Sequence, residues 1–378
     1  MSKPALTVDI KQDEPGFQLE AAFTLSTGIT ALIGRSGAGK TMLLDTLAGL
    51  RTPHQGTIKF GDTCLFDTVA KINEPPERRH IGYVFQTGRL MPHLSVAGNL
   101  QFGSRRARHN TPLASLDEII SLLDLDHILE RRPHHLSGGE RQRVAIGRAL
   151  LSAPRLMLMD EPLANLDPAR RAELMPFLER IQHRFALPIL YVSHNMDEVL
   201  RLADKVLVLK KGKLTAQGSV ADVLNDPKIQ HYLLGSATQF EPETILEVQG
   251  EERDGNVLHL KTALGTFTVP HAKSIPPTPR LRIQARDVIL SRSEITGLSI
   301  RNALACTIRN INAVEPGQVD IELLALTQES TSQGTVFPLW ARITRAAASD
   351  LNLTQGASCW AYIKASALVP QSSKVTIL

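Results

Sequence analysis

The chain has 378 residues, 43% hydrophobic and 4% aromatic, with 42 basic and 38 acidic side chains and a formal net charge of +4. That length exceeds one ordinary core and points to two or three domains, while a small, dispersed basic surplus and few aromatics argue against a nucleic-acid partner. Cys64, Cys306 and Cys359 form no CxxC pair, no run approaches the ~18 apolar residues of a membrane span, and the N-terminus meets charge before any stretch of signal-peptide length, so inert thiols in a cytoplasmic chain are expected.

In chain order, segments 5–10, 18–25 and 29–33 alternate or are apolar and are predicted as strands. The third runs into GRSGAGKT at 34–41, and GKTMLLDTLAGL reads as the following helix. HIGYVF is a further strand ending at Gln86. From about 87 to 150 the pattern is mostly helical, with SLDEIISLLDL at 115–125 amphipathic. RLMLMD at 155–160 and ILYVS at 189–193 suit strands buried on both faces of a parallel sheet. Between them a helix is expected with Asp167 as N-cap, Pro168 at its first position, a face of Leu174, Leu178, Ile181 and Phe185, and a kink at Pro176. Residues 1–235 therefore read as an α/β domain with a helical insertion at about 87–150.

Beyond about 236 the texture changes to short alternating segments: TILEVQG, NVLHLKT, GTFTVP, LRIQARDVIL, ACTIRNINAV, QVDIELLAL, PLWARIT and CWAYIKA. They predict a small all-β, barrel-type region, with a boundary near GSATQFEPET. Residues 236–296 would be a β-rich linker or a first OB-like half, and 297–378 an OB-like domain.

The chemistry concentrates in the first region. Gly34, Arg35, Ser36, Gly37, Ala38, Gly39, Lys40 and Thr41 form a complete P-loop pattern between strand and helix. Its backbone N–H groups would converge on the β-phosphate, Lys40 would reach the β and γ phosphates, and Thr41 would ligate Mg²⁺. Asp160 closes an apolar strand, where a carboxylate can hold the same cation, and Glu161 is placed to act as general base; alone, such a pair is more often a solvated turn. His194 ends ILYVS and would face the γ-phosphate, though by itself it could equally be a capping or core histidine. Gln86 at its own strand end could ligate Mg²⁺ and orient water. LSGGERQRVAIGRAL at 136–150 adds a puzzle: Ser137, Gly138 and Gly139 open a helix and make a second anion cradle in a chain that already has one.

The ordered series GRSGAGKT, Gln86, LSGGE, LMLMDEP, the NLD at 165–167 and His194 resembles the nucleotide-binding subunit of an ABC transporter over roughly residues 1–235. The resemblance implies a P-loop NTPase that binds ATP and Mg²⁺ as a face-to-tail homodimer, with Ser137 and the Gly139 N–H capping the γ-phosphate held by the partner's P-loop. It also implies two membrane permease subunits, an indirect periplasmic or extracellular binding protein, peripheral attachment at the cytoplasmic face of the plasma (inner) membrane, and docking through TGRLMPHLSV after Gln86. Two departures stand out: Asn165 where the family often has Ser or Ala, and an adenine-stacking aromatic for which Phe17 is the candidate, core packing being the other role open to it.

In the tail, SIRN at 299–302 and WAYIKAS at 360–366 resemble the signature segments of molybdate-binding (Mop) domains, OB-like barrels that hold tetrahedral oxyanions. The matching ligands are Ser299, Arg301, Asn302 and Lys364, with Ile300 in place of the usual Ala. A barrel that only dimerises the ATPases is the alternative. The whole is similar to the ATPase of a molybdate importer whose tail senses intracellular oxyanion. Tungstate, sulfate or sugar importers share such a head. A soluble chromosome or repair ATPase is disfavoured because Lys40 to Leu136 shows no sustained heptads, and a dead ATPase by intact Lys40, Glu161 and His194.

Overall fold

The computed structural model describes residues 5–106, 113–164, 166–234, 242–270, 280–314, 317–326 and 336–368, in two units that meet in sequence between Ser219 and Val220. In the first unit, β1 (Leu6–Glu14), β2 (Phe17–Leu25) and β3 (Gly28–Ile33) occupy the three predicted stretches, and β1 buries every second side chain as its alternation requires. Helix α1 (Lys40–Ala48) follows the glycine loop, then β4 (Gln55–Phe60), β5 (Thr63–Asp67), β6 (Ile72–Asn73) and β7 (Ile81–Val84). The helical insertion contains α2 (Val96–Arg106), α3 (Leu116–Leu122) and α4 (Gly138–Leu151). Then come β8 (Leu156–Asp160), α5 (Pro168–Phe185), β9 (Pro188–Val192), α6 (Met196–Leu202), β10 (Lys205–Lys210) and β11 (Lys213–Ser219).

Among the described residues these strands form one eleven-stranded sheet in the order β6-β5-β4-β1-β2-β11-β10-β3-β9-β8-β7. Strands β10, β3, β9, β8 and β7 run parallel, and β8 and β9 are buried at every position, as continuous apolar runs predict. The antiparallel wing of β4 to β6 is not anticipated from sequence, because QGTIKF, TCLFD and IN are too short and too mixed to carry a period. In α5, Asp167 Oδ1 accepts from the Arg170 N–H at 3.1 Å, Leu174, Leu178 and Ile181 are buried, and Pro176 removes one donor from the ladder without ending the helix.

Arg79 ties the P-loop helix down. Its fully buried guanidinium donates to Thr46 O and Leu47 O at the C-terminal end of α1, both at 2.9 Å, and to Glu74 O and Asn73 Oδ1. Four neutral oxygens thus replace its water, and the cation meets the negative end of the helix. Gly49 closes α1 at φ +82°, and a Cβ there would lie 2.6 Å from Arg79 Nε, so this C-cap demands glycine twice over.

The second unit starts earlier than the boundary near 235 expected from sequence. Helices α7 (Val220–Leu224) and α8 (Pro227–Leu234) belong to it: Asn225 exchanges two hydrogen bonds with the Ile245 backbone, and Gln230 Nε2 donates to Glu243 O at 2.7 Å. Residues 235–241, which include the start of the expected linker, lie outside the described residues. The strands are β12 (Glu243–Glu247), β13 (Gly250–Asp254), β14 (Val257–Thr262), β15 (Gly265–Pro270), β16 (Arg280–Gln284), β17 (Val288–Ser291), β18 (Asn302–Val314), β19 (Gln318–Leu326), β20 (Val336–Thr344) and β21 (Ser358–Ile363), with α9 (Arg345–Asp350) between the last two. They form sheets β12-β16, β13-β14-β15 and β17-β21-β18-β19-β20.

Among the described residues, strand pairing and core packing cross the expected division at 296. Strand β17 pairs with β21, and one apolar cluster runs from Leu246, Leu258 and Phe267 to Ile308, Ile321, Leu339 and Ile363. LRIQARDVIL is two strands, broken by a 3₁₀ turn at Ala285–Asp287 that redirects β17 into the larger sheet. Strand β13, GEERD, went unpredicted because its side chains from Glu251 to Asp254 are all exposed and charged.

Candidate nucleotide-binding site

Strands β3, β9, β8 and β7 are parallel neighbours, so their C-terminal ends line one edge of the sheet. Leu32 pairs with Val192, Val192 with Asp160, and Met159 with Val84. Each strand then delivers one part of the predicted chemistry: GRSGAGKT after β3, His194 after β9, Asp160 and Glu161 from β8, and Gln86 after β7. Crevices of this kind, beyond the carboxyl ends of parallel strands, are where α/β sheets bind ligands.

In the loop, Arg35, Ser36 and Gly37 are exposed and Ala38 is buried. Gly37, at φ +75°, has open space where a Cβ would stand, leaving the backbone approachable. Lys40 is buried at the neck, its Nζ donating to Gly34 O at 2.8 Å and Arg35 O at 3.2 Å. Burial lowers its pKa, opposed by the charges of Glu161 and Asp160. Thr41 Oγ1 donates to Asp160 Oδ2 at 3.0 Å, and the burial of Asp160 pushes its carboxyl above the usual range despite that bond. Glu161 stands at φ +46°, an unusual conformation for a side chain of its size, with its N–H on Val192 O. Its carboxylate Oε2 lies 3.3 Å from Nδ1 of the exposed His194. Gln86 is exposed in the turn closed by Gly88 N–H to Phe85 O at 2.9 Å. Half-buried Phe17 sets its ring edge under the loop, where a Cβ on Gly39 would lie 2.8 Å away. Asn165 lies outside the described residues.

The second cradle is built by capping. Ser137 is the N-cap of α4: its Oγ accepts from the Glu140 N–H at 3.3 Å, and its own N–H goes to Glu140 Oε2 at 2.6 Å. That bond uses the hydroxyl as an acceptor and leaves its hydrogen for an external oxygen. Burial opposes the Glu140 charge, but the two Ser137 bonds, with Arg131 and Arg143, hold its carboxyl below the usual range.

One supporting residue has no counterpart in the sequence reading. Glu198 on α6 is buried and accepts from Tyr191 Oη at 2.8 Å and Ser193 Oγ at 2.7 Å, with Arg171 at 3.4 Å. Ser193 Oγ in turn accepts from the Asn195 N–H, so the two residues flanking His194 are fixed from below. An acidic residue in the first turn of a helix gives no sequence signal of such a role.

In the tail, Ser299, Arg301 and Lys364 are exposed. Asn302 pairs with Ile363 at the end of the β18–β21 ladder, so the next positions outward are Arg301 and Lys364. Asn302 itself departs from the predicted oxyanion set. It is buried, its Oδ1 accepts from the Thr268 N–H, and its Nδ2 donates to Thr268 O and Ile363 O, which spends both amide hydrogens.

The family model for ABC transporters matches residues 20–164, and that for the TOBE domain matches 298–369. Among solved structures, an ATP-binding cassette of an ABC transporter in its ADP conformation and a nucleotide-free cassette each give a TM-score of 0.53 at 25% identity, covering 62% of this chain and all of theirs. The first unit is thus an ABC-type ATP-binding cassette, the fold class expected from sequence. Proteins named molybdenum import ATP-binding protein ModC are 41% identical in Paramagnetospirillum magneticum, over 95% of this chain and 96% of theirs, and 42% identical in Rhodospirillum rubrum, over 96% and 97%. The homologue of Brucella abortus is 43% identical over 95% of this chain and 96% of its own. The chain belongs to this ModC family of ABC transporter ATP-binding proteins.

Proposed function

We propose that the chain hydrolyses ATP to energise molybdate import through a membrane ABC transporter, working as a homodimer at the cytoplasmic face of the plasma (inner) membrane. Among the described residues no helix is long and apolar enough to cross a membrane, so two permease subunits would hold it there. One observation carries the reading. Lys40, Asp160, Glu161, His194 and Gln86 share a single strand-end edge, while a second anion cradle opens a different element, α4.

The donor set suits Mg²⁺·ATP. Thr41 Oγ1 and an Asp160 carboxylate oxygen, 3.0 Å apart, are hard oxygen ligands, and with Gln86 they would hold the cation, which when bound neutralises charge on the β and γ phosphates. Backbone N–H groups of residues 35–41 cradle the phosphates at the N-terminus of α1. Lys40 exchanges its carbonyl partners for phosphate oxygens. Glu161 takes the proton of the attacking water. With its Nδ1–H given to Glu161, His194 turns Nε2 toward the γ-phosphate and donates there when the ring carries both protons, as charge spreads in the transition state. The Ser137 hydroxyl and the Gly138 and Gly139 N–H groups close over the γ-phosphate held by the second copy, which answers why one chain carries two cradles.

Residues 87–96 are the docking segment for the permease. Leu90, Met91 and Leu94 are half-buried there, so the apolar patch is partly supported by the cassette itself. In the tail, Ser299, Arg301 and Lys364 are the groups suited to a doubly charged oxyanion. The test uses the chain copurified with its permease pair. ATP turnover is expected to rise with binding protein loaded with molybdate and not with sulfate; equal stimulation removes the cargo assignment. Full-length chain should bind molybdate over sulfate, and Arg301→Ala with Lys364→Ala should abolish the preference. No preference in the unaltered chain would reduce the tail to a structural element.

A further inference from the structure

The segment from Gly88 to Ser95 is gripped from two helices. Asn99, fully buried on α2, accepts from the Met91 N–H at 2.8 Å and donates to the carbonyls of Met91, Leu94 and Ser95. Arg148, in the last turn of α4, donates to Gly88 O at 3.2 Å and to Asn99 Oδ1 at 3.4 Å. Its guanidinium pKa is lowered by burial, with no carboxylate contributing. A half-buried cation set against neutral oxygens at such lengths gains little stability from them. Its placement calls for another explanation.

Geometry supplies one. Gly88, at φ +72°, lies on the face of α4, with Arg141 O, Gln142 Oε1 and Ala145 Cβ within 3.6–3.7 Å of where its Cβ would be. Gln142 is buried there, and its Nε2 has no partner among the described residues. Helices α2 and α4 cross in close contact: a Cβ on Gly103 would lie 2.3 Å from Arg148 O, and one on Gly147 2.9 Å from Leu100 Cδ2. Such a pair moves together. The 14 residues of α4 span about 21 Å and carry Ser137 at the far end. The same turn contains Gln86 and is braced toward the strand-end site: Arg89 covers the Phe85 ring at 4.0 Å, Phe85 stacks on Tyr83, and Tyr83 Oη donates to Asp45.

We propose that Arg148 is a positioning residue that splices the docking segment to α4, through Gly88 O and Asn99, so that one displacement of residues 88–95 resets both Gln86 and the Ser137–Gly139 cradle. The inference rests on the transporter reading above. It predicts that the membrane partner acts on a chain's own nucleotide and on the second copy's nucleotide through a single joint.

The test compares isolated full-length chain with the same chain in its permease complex. Arg148→Met should leave ATP turnover and KM of the isolated chain within about twofold, yet lower the stimulation given by permease and loaded binding protein about tenfold, toward the lower end of usual coupling strengths. Arg148→Lys, which keeps a donor for Gly88 O, should restore part of that stimulation, and it carries the comparison if the Met variant fails to fold. Stimulation equal to the unaltered chain, or equal losses in isolated and assembled protein, overturns the splice. Absence of stimulation in the unaltered complex instead overturns the transporter reading, and the splice with it.

Discussion

Glu161→Gln is expected to keep ATP bound and to lower turnover about a thousandfold, the usual worth of a positioned general base. The amide preserves the size and the hydrogen-bonding reach of the carboxylate but cannot accept the proton of the attacking water. Lys40, Thr41 and Asp160, the proposed nucleotide ligands, are held by bonds that do not involve the Glu161 side chain. Its backbone also stays in place, since φ +46° and the N–H bond to Val192 O belong to the main chain. The variant should therefore accumulate as an ATP-loaded dimer, read by size-exclusion chromatography with nucleotide counting. Retained hydrolysis would remove Glu161 from its role and move attention to His194 and Gln86.

Lys40→Ala should act at the earlier step and weaken ATP binding about a hundredfold or more, because two charge-assisted contacts to phosphate disappear. Folding should survive. The ammonium is buried against carbonyl oxygens, and burial lowers its pKa, so the charged form costs rather than adds stability in the nucleotide-free protein. For a lysine whose pKa falls on folding, any stability it adds appears as pH rises through the lowered value and is lost below it. Near neutral pH the alanine variant should thus melt close to the unaltered chain while losing nucleotide affinity, measured by calorimetric titration. A fall in melting temperature equal to the loss of binding would mean that Lys40 is chiefly a structural residue.

How far the sequence carried can be read from particular elements. RLMLMD and ILYVS were legible as buried strands because an apolar run bounded by turn residues has few other uses in a chain with a P-loop. Asp160, Glu161, Gln86 and His194 fell on one edge because parallel strands bring their C-terminal ends together, a consequence of topology that local pattern alone does not contain. Ser137, Gly138 and Gly139 were legible as a helix start, while the reciprocal bonds of Ser137 and Glu140 that close it emerge only in the fold. Asn302 shows the opposite case. It stands in a matched segment, yet its amide is consumed by Thr268 and Ile363, which are brought to it only by folding across 34 and 61 residues. Helices α7 and α8 continue the pattern of the first unit in sequence, while their hydrogen bonds to Glu243 and Ile245 attach them to the second. Arg148 gave no signal because its partner Gly88 is 60 residues away in the chain, and Glu198 gave none because its burial against Tyr191, Ser193 and Arg171 depends on how β9, α5 and α6 pack.

Sharing of each nucleotide between two copies is tested most directly by mixing two defective chains. In a Glu161→Gln background, one chain carries Lys40→Ala and the other Ser137→Ala, and the mixed dimer is isolated with two different tags. If P-loop and cradle act across the interface, one site collects both lesions and the other is intact, so the mixed dimer should occlude one ATP while each parent dimer occludes none. A mixed dimer as empty as its parents would mean that both cradles serve the nucleotide of their own chain, and the sandwich would be wrong.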